Sequence, residues 1–230
     1  MESVRTLLLL LAGTSAAPPD AGLSVSPDIV THGPAEGRRV ALTFDACSTG
    51  GKSRYDRGVI QALREAKVPA TLFISGHWAE SHPDETKELA KDLLFELGNH
   101  SYVHPHMTRV SEARQRKELE HTQEILTSLT GETPRFFRPP YGEVNAALAR
   151  VAASEGLRTI QFDVASGDPD KSFTKVRLTK WVLHEVKPGS IVVMHMNGNG
   201  WHTAEALPDI IKGLRERGFV LSKVSELTAE

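Results

Sequence analysis

The sequence predicts a single α/β domain built on a parallel sheet, and three observations carry that prediction. Short β-branched and aromatic runs alternate with longer stretches of helical period, the pattern of βα units. Proline and glycine mark the ends of those stretches: Pro83 suits the first turn of a helix, and Gly131 and Gly218 sit just past helix ends, where a left-handed residue is wanted. At 230 residues the chain is long enough for one sizeable core and gives no reason to expect two.

The elements follow in order. Arg39 to Phe44 (RVALTF) reads as a strand, and Asp56 to Lys67 as an amphipathic helix. Ala70 to Ser75 is a second strand, followed by a helix over Pro83 to Leu94. Glu96 to Ser101 precedes a helix over Ser111 to Thr130, and Phe136 to Arg138 precedes one over Val144 to Glu155. Arg158 to Asp163 pairs in the same way with Phe173 to Val186, and Ser190 to His195 with Thr203 to Arg217. Phe219 to Val224 is a last strand. The pattern alone fits an open sheet as well as a closed barrel. No internal repeat or low-complexity tract interrupts it.

Ahead of this block, Met1 to Arg5, the leucine run Leu7 to Leu11 and Ser15 to Ala17 read as a short signal peptide over residues 1–17. Pro18 to Gly37 reads as a tether, leaving 38–230 for the domain. No stretch approaches the length of a transmembrane helix. A formal charge of −2 without a basic stripe gives no reason to expect a nucleic-acid partner. Cys47 is the only cysteine, so no intramolecular disulfide can form. A monomer is expected.

Chemistry concentrates in Gly98-Asn99-His100-Ser101-Tyr102-Val103-His104-Pro105. Positions i and i+4 share a face in a helix and in a strand, so the two imidazoles can converge either way. Neutral imidazole is the commonest side-chain metal ligand, and two of them with open positions suit a catalytic metal. Asp45, His100, Arg138, Asp163 and His195 all fall at or just past the C-terminal ends of expected strands. Parallel α/β architectures build their active sites on that face.

Five segments in this order, Thr43-Phe44-Asp45, His100 to Pro105, Arg138 to Tyr141, Asp163 to Asp168 and Val193-Met194-His195, resemble the motifs of the polysaccharide deacetylase family (the NodB homology domain of carbohydrate esterase family 4). The resemblance covers Arg39 to Leu227. It implies a distorted (β/α) barrel of about seven parallel strands and a metal-dependent hydrolase that removes acetyl groups from an N-acetylated glycan, peptidoglycan or chitin-like; O-acetyl esters such as acetylated xylan are also admitted. It further implies a divalent metal, zinc, on His100 and His104, with Asp45 as general base and His195 as general acid. Arg138 would orient Asp45, and the backbone N–H of Tyr141 would stabilise the oxyanion. Asp168, or else Asp163, would pair with His195. Trp201, in the loop after His195, offers a ring that could stack on a sugar face beside Tyr141. Such an enzyme would work outside the cytoplasm: secreted, periplasmic or in the cell envelope.

Two positions depart from the family pattern. Pro169 stands where a Trp usually follows the fourth motif, and Ala46 stands where a second Asp usually completes an Asp-His-His metal set. Alanine cannot bind a metal, so the third position falls to Asp45, to a Cys47 thiolate or to water. A rival reading follows: a catalytically impaired, glycan-binding member of the family that has lost its metal. Retention of Asp45, His100, His104, Arg138, Tyr141 and His195 together argues against it.

Overall fold

Strand formers and helical stretches alternate along the chain, and in three dimensions they become a parallel sheet with helices on its outer side. The structure, a computed structural model, describes residues 25–48 and 54–229. The expected signal peptide and the first part of the expected tether lie outside the described residues. The strands are β1 (Ile29–Val30), β2 (Arg39–Ala46), β3 (Ala70–Ile74), β4 (Phe95–Asn99), β5 (Phe136–Phe137), β6 (Arg158–Ile160), β7 (Val164–Ala165), β8 (Ile191–His195) and β9 (Val220–Ser222). The helices are α1 (Arg57–Glu65), α2 (Gly76–Ser81), α3 (Pro83–Lys91), α4 (Glu112–Thr130), α5 (Ala146–Ser154), α6 (Lys175–Glu185), α7 (Thr203–Glu216) and α8 (Val224–Leu227).

All the strand pairs are parallel, in the order β1-β6-β5-β4-β3-β2-β8-β7, with β9 against the start of β2. An antiparallel bridge between His32 and Ser190 joins the segment after β1 to the head of β8 and curls the sheet toward closure. The result is a half-barrel form of the distorted (β/α) barrel that the family resemblance implied, with the two-residue strands β1 and β7 added to the expected seven. All seven strands read from the sequence are present.

β2 is the spine, and after Arg39 every residue in it is buried. Period-two alternation divides its side chains between two cores. Val40, Leu42, Phe44 and Ala46 pack outward with Val59, Ile60 and Leu63 of α1 and Ile210 and Leu214 of α7. Ala41 joins Phe73, Phe136, Ile160 and Ile191 inside, where Val224 and Leu227 of α8 complete the cluster. Each fully buried leucine or isoleucine here contributes about 1.5–3 kcal/mol relative to exposure.

The elements not expected from the sequence are short. α2 is six residues (GHWAES), too few for a readable apolar period, and is started by the Ser75 hydroxyl accepting from the Trp78 N–H. β1 and β7 are two residues each and exist through their pairing. Ile29 and Val30 fall in the stretch read as a tether and lie opposite Thr159 and Ile160 of β6. The run read as a strand to Val224 stops at Ser222, because Glu226 accepts from the Lys223 N–H and starts α8.

Candidate active site

Strand register makes the first contact. Parallel pairing sets Asp45 of β2 directly beside His195 of β8, so both side chains leave the same face of the sheet. Thr43, two residues earlier, shares that face. Arg138 follows β5 and is fully buried beneath them. Its Nη1 donates to Asp45 Oδ1 at 2.9 Å and to Thr43 Oγ1 at 2.6 Å, and its Nη2 donates to Gln161 O at 3.2 Å. The guanidinium also lies 4.1 Å from the centre of the Phe73 ring. Burial opposes ionisation of Asp45, but Arg138, with His100 and His195, outweighs it and holds the carboxyl below the usual carboxylate range.

His100 follows β4 and is buried. Its Nδ1 donates to the Arg138 carbonyl at 2.8 Å, since a carbonyl can only accept. That leaves Nε2 as the lone-pair nitrogen, 3.7 Å from Asp45 Oδ2. Burial, only partly offset by Asp45, lowers its pKa. His104 stands edge-on to it, with ring centres 4.8 Å apart. Burial, and after it the neighbouring His100, push the His104 pKa down to about 3. Both imidazoles are therefore neutral near pH 7.

His195 is the opposite case. Its Nδ1 donates to Asp168 Oδ1 at 2.9 Å, and its backbone N–H donates to Asp168 Oδ2 at 2.7 Å. Burial opposes protonation, but the charge and hydrogen bond of Asp168 outweigh it and raise the pKa. Asp168 is itself held by the Ser166 hydroxyl at 2.9 Å and the Thr203 hydroxyl at 2.7 Å. A Cβ at Gly200 would come within 2.6 Å of Asp168 Oδ2, so the chain can cross there only as glycine. The sequence alone assigns no role to Ser166, Thr203, Gly200 or Thr43, because a hydroxyl or a glycine carries no partner information.

Asp163 lies elsewhere. Its carboxylate accepts from the Ser190 hydroxyl and the Ile191 N–H, each at 2.8 Å, and so anchors the start of β8. Asp163→Ala is expected to cost about 1–3 kcal/mol in urea unfolding by leaving the Ile191 N–H unpaired. The His195 imidazole, followed by NMR titration, should keep its pKa in that variant.

Tyr141 has a left-handed backbone (φ 60, ψ 7) and an exposed ring. The ring stacks on His106 at 4.1 Å and 14° and meets His104 edge-on at 4.5 Å. His106 is in turn held by Glu143 at 3.0 Å. Pro139 and Pro140 restrict the preceding φ angles, and Gln161 Nε2 donates to Gly142 O at 2.6 Å. The Cys47 thiol, beside Asn197 Nδ2 at 3.2 Å, is pushed up to about 12 by burial and then by the charge of Asp45. Trp201 is half-exposed; its backbone N–H donates to Asp168 O at 3.0 Å, and the Lys171 ammonium sits 4.3 Å over its ring. Trp78 is fully buried and donates to Arg54 O at 2.7 Å, so it belongs to the core.

Asp45, His100, His104, Tyr141, Asp168 and His195 all line one cavity of about 410 Å³, walled also by Cys47, Phe162 and Val193. Arg138 lies behind this wall and Trp201 outside it. Residues 32–160 match the family model for polysaccharide deacetylase. The chain belongs to that family. It is 33% identical over 188 residues to a peptidoglycan-N-acetylglucosamine deacetylase of Bacillus cereus, covering 81% of this chain and 66% of that protein. It is 32% identical to the uncharacterized protein YlxY of Bacillus subtilis, covering 77% of this chain and 54% of that one. It thus spans somewhat over half to two thirds of these relatives' length. Among solved structures it is similar to BA3943 of Bacillus anthracis, described as a pseudoenzyme of carbohydrate esterase family 4, with a TM-score of 0.80 and 29% identity over 90% of this chain and 70% of that one. A mutant of BA3943 is described as having restored enzymatic activity.

Polysaccharide deacetylases raise the question of a metal. Among the described residues no three His, Cys, Asp or Glu side chains are grouped as a metal site. Two of the donors fit all the same. His100 and His104 are neutral, and the Nδ1–H of His100 is fixed on a carbonyl, the outer hydrogen bond that orients a ligating histidine. The Cys47 thiol, pushed up to about 12, would have to give up its proton to a metal before its sulfur could serve as a third ligand. His100 and His104 are the side chains that would hold a divalent ion, and such an ion would supply Lewis-acid chemistry at the cavity.

Proposed function

We propose that this chain removes acetyl groups from an N-acetylated glycan of the peptidoglycan type. One observation carries the reading: Asp45, whose pKa is lowered, and His195, whose pKa is raised, stand side by side on one strand register and face one cavity. Two titratable groups driven apart in pKa by their surroundings are the mark of an assigned base and acid. Asp45, oriented by Arg138, takes the proton of the attacking water as its oxygen bonds to the acetyl carbon. Tyr141 supplies its backbone N–H to the oxyanion. His195, kept charged by Asp168, gives its proton to the amine as the carbon–nitrogen bond breaks. Zinc on His100 and His104 would polarise the acetyl carbonyl and acidify the water. Trp201 stands outside the cavity as an outer contact for the glycan. Peptidoglycan as substrate would put the protein's work outside the cytoplasm.

The pH dependence follows with its sign. kcat/KM rises as Asp45 ionises, below the ordinary carboxylate range, and falls as His195 loses its proton, above the ordinary imidazole value of about 6.5. Asp168→Asn removes the charge that raises His195, so its alkaline limb should move to lower pH.

A specific observation favours a second reading. Ala46 stands where the family pattern has a metal-binding Asp, and a solved relative of the same fold is called a pseudoenzyme. In that reading the chain binds glycan without hydrolysing it. Metal analysis of protein purified without chelator, together with acetate release from N-acetylglucosamine oligomers and peptidoglycan, separates the two. About one equivalent of divalent metal with acetate release, both lost in His100→Ala, supports the enzyme. No metal and no acetate, with glycan still bound, supports the binding protein.

A further inference from the structure

The two candidate ligands sit on a loop that is expensive to hold. Ser101 and His104 are non-glycine residues with left-handed φ angles of 60° and 58°. Each such residue costs on the order of 1–3 kcal/mol and persists only where its surroundings over-determine it. The loop's carbonyls are fixed by the first turn of α2: Gly76 N–H donates to Ser101 O at 3.0 Å and His77 N–H to Tyr102 O at 3.1 Å. Gly76 is required for this approach, because a Cβ there would lie 2.7 Å from Tyr102 Cδ2. The start of the loop is fixed by Asn99, whose Oδ1 accepts from the Ser101 N–H at 2.9 Å.

The middle of the loop is held from the other side by one carboxylate. Glu118 of α4 is 2% exposed, and its Oε2 accepts from both the Tyr102 N–H at 2.8 Å and the Val103 N–H at 2.9 Å. Its Oε1 accepts from Arg114, one helical turn earlier, at 2.5 Å. A single anionic oxygen shared by two consecutive N–H groups is a stronger clamp than two neutral hydrogen bonds. It falls between the two left-handed residues, on the segment that sets how far apart His100 and His104 stand.

We propose that Glu118 is a positioning residue: by clamping the Tyr102 and Val103 amides it holds the loop in the one shape that brings the His100 and His104 rings together. It touches neither the cavity nor either ring. The assignment rests on the reading of the two histidines as metal ligands for its consequence, but not for its geometry.

The test uses two readouts. In metal-free wild type, hydrogen exchange should show the Tyr102 and Val103 amides protected; rapid exchange at both would overturn the clamp without any variant. Glu118→Ala should speed their exchange by about tenfold or more, the effect of orphaning buried donors. Glu118→Gln, whose amide oxygen can still accept from both, should retain most of the protection. Zinc affinity, measured by competition with a chelator, should fall by about 10–100-fold in Glu118→Ala, as for loss of a ligand's outer support. It should stay within about threefold of wild type in Glu118→Gln and in Arg114→Ala, well short of that loss. A folded Glu118→Ala that binds zinc as wild type does would sink the proposal. If wild type takes up no zinc at all, the ligand reading fails, and the clamp stands or falls on the exchange data alone.

Discussion

Replacing His195 by serine is expected to lower kcat by about 10²–10⁴-fold, the usual worth of a general acid, while metal content stays at the wild-type level. The expectation rests on position and charge together. His195 ends β8, opposite Asp45, with its Nδ1 committed to Asp168 and its other nitrogen at the cavity. Its proton is held by a carboxylate that also receives the Ser166 and Thr203 hydroxyls, so Asp168 cannot turn away. Serine leaves the sheet intact and removes only the proton donor. The alkaline limb of the pH–rate profile should therefore flatten, because the group whose deprotonation caused it is gone. The same raised pKa carries a stability consequence. Its contribution is fully present below the unfolded value of about 6.5 and is lost as pH rises through the folded value. Wild type should thus lose a little stability across that alkaline window, and His195→Ser should not. An unaltered alkaline limb in a folded variant would assign His195 a structural role instead.

Ala46→Asp is expected to do two opposite things. Ala46 is fully buried at the end of β2, opposite Ile74 in the outer core, and does not line the cavity. Without metal, a carboxylate at that position is a buried charge lacking a partner, and the variant should be less stable than wild type by about 3–5 kcal/mol. With zinc on His100 and His104, the same carboxylate gains a cation. Zinc should then raise the melting temperature of the variant more than that of wild type; at a hundred times its Kd a ligand adds about 2.7 kcal/mol. Chelator should strip the variant at higher concentration than wild type. The rate need not rise in step, since added negative charge weakens the metal as a Lewis acid. Equal or weaker metal retention in a folded variant would mean that position 46 cannot reach the site or that another group already fills it.

Both predictions depend on features of different legibility. Residues such as Val40, Leu42 and Phe44 announce a strand through side-chain type, and α4, at 19 residues with Ser111 at its start and Gly131 at its end, could be read almost to the residue. These are local properties of the chain. β1, α2 and β7 could not be read, because two to six residues hold too little periodicity and their stability comes from what they lie against. Tryptophan and the acidic residues were ambiguous for the same reason. Trp78 and Trp201 look alike in sequence, yet one is core and the other stands at the surface under Lys171.

The sequence by itself determined the α/β class, the barrel through its family motifs, and the set of residues with chemistry to offer at the strand ends. It determined also that position 46 has no ligand to give. Only the tertiary structure decided which charges meet. Asp168, not Asp163, reaches His195; Arg138 divides its guanidinium between Asp45, Thr43 and Gln161; Glu118, eighteen residues beyond His100, clamps the histidine loop. The physical reason is the range of the forces. Backbone propensity and apolar period act over a few residues and are written locally, whereas a pKa depends on burial and on charges brought within a few ångströms from anywhere in the chain.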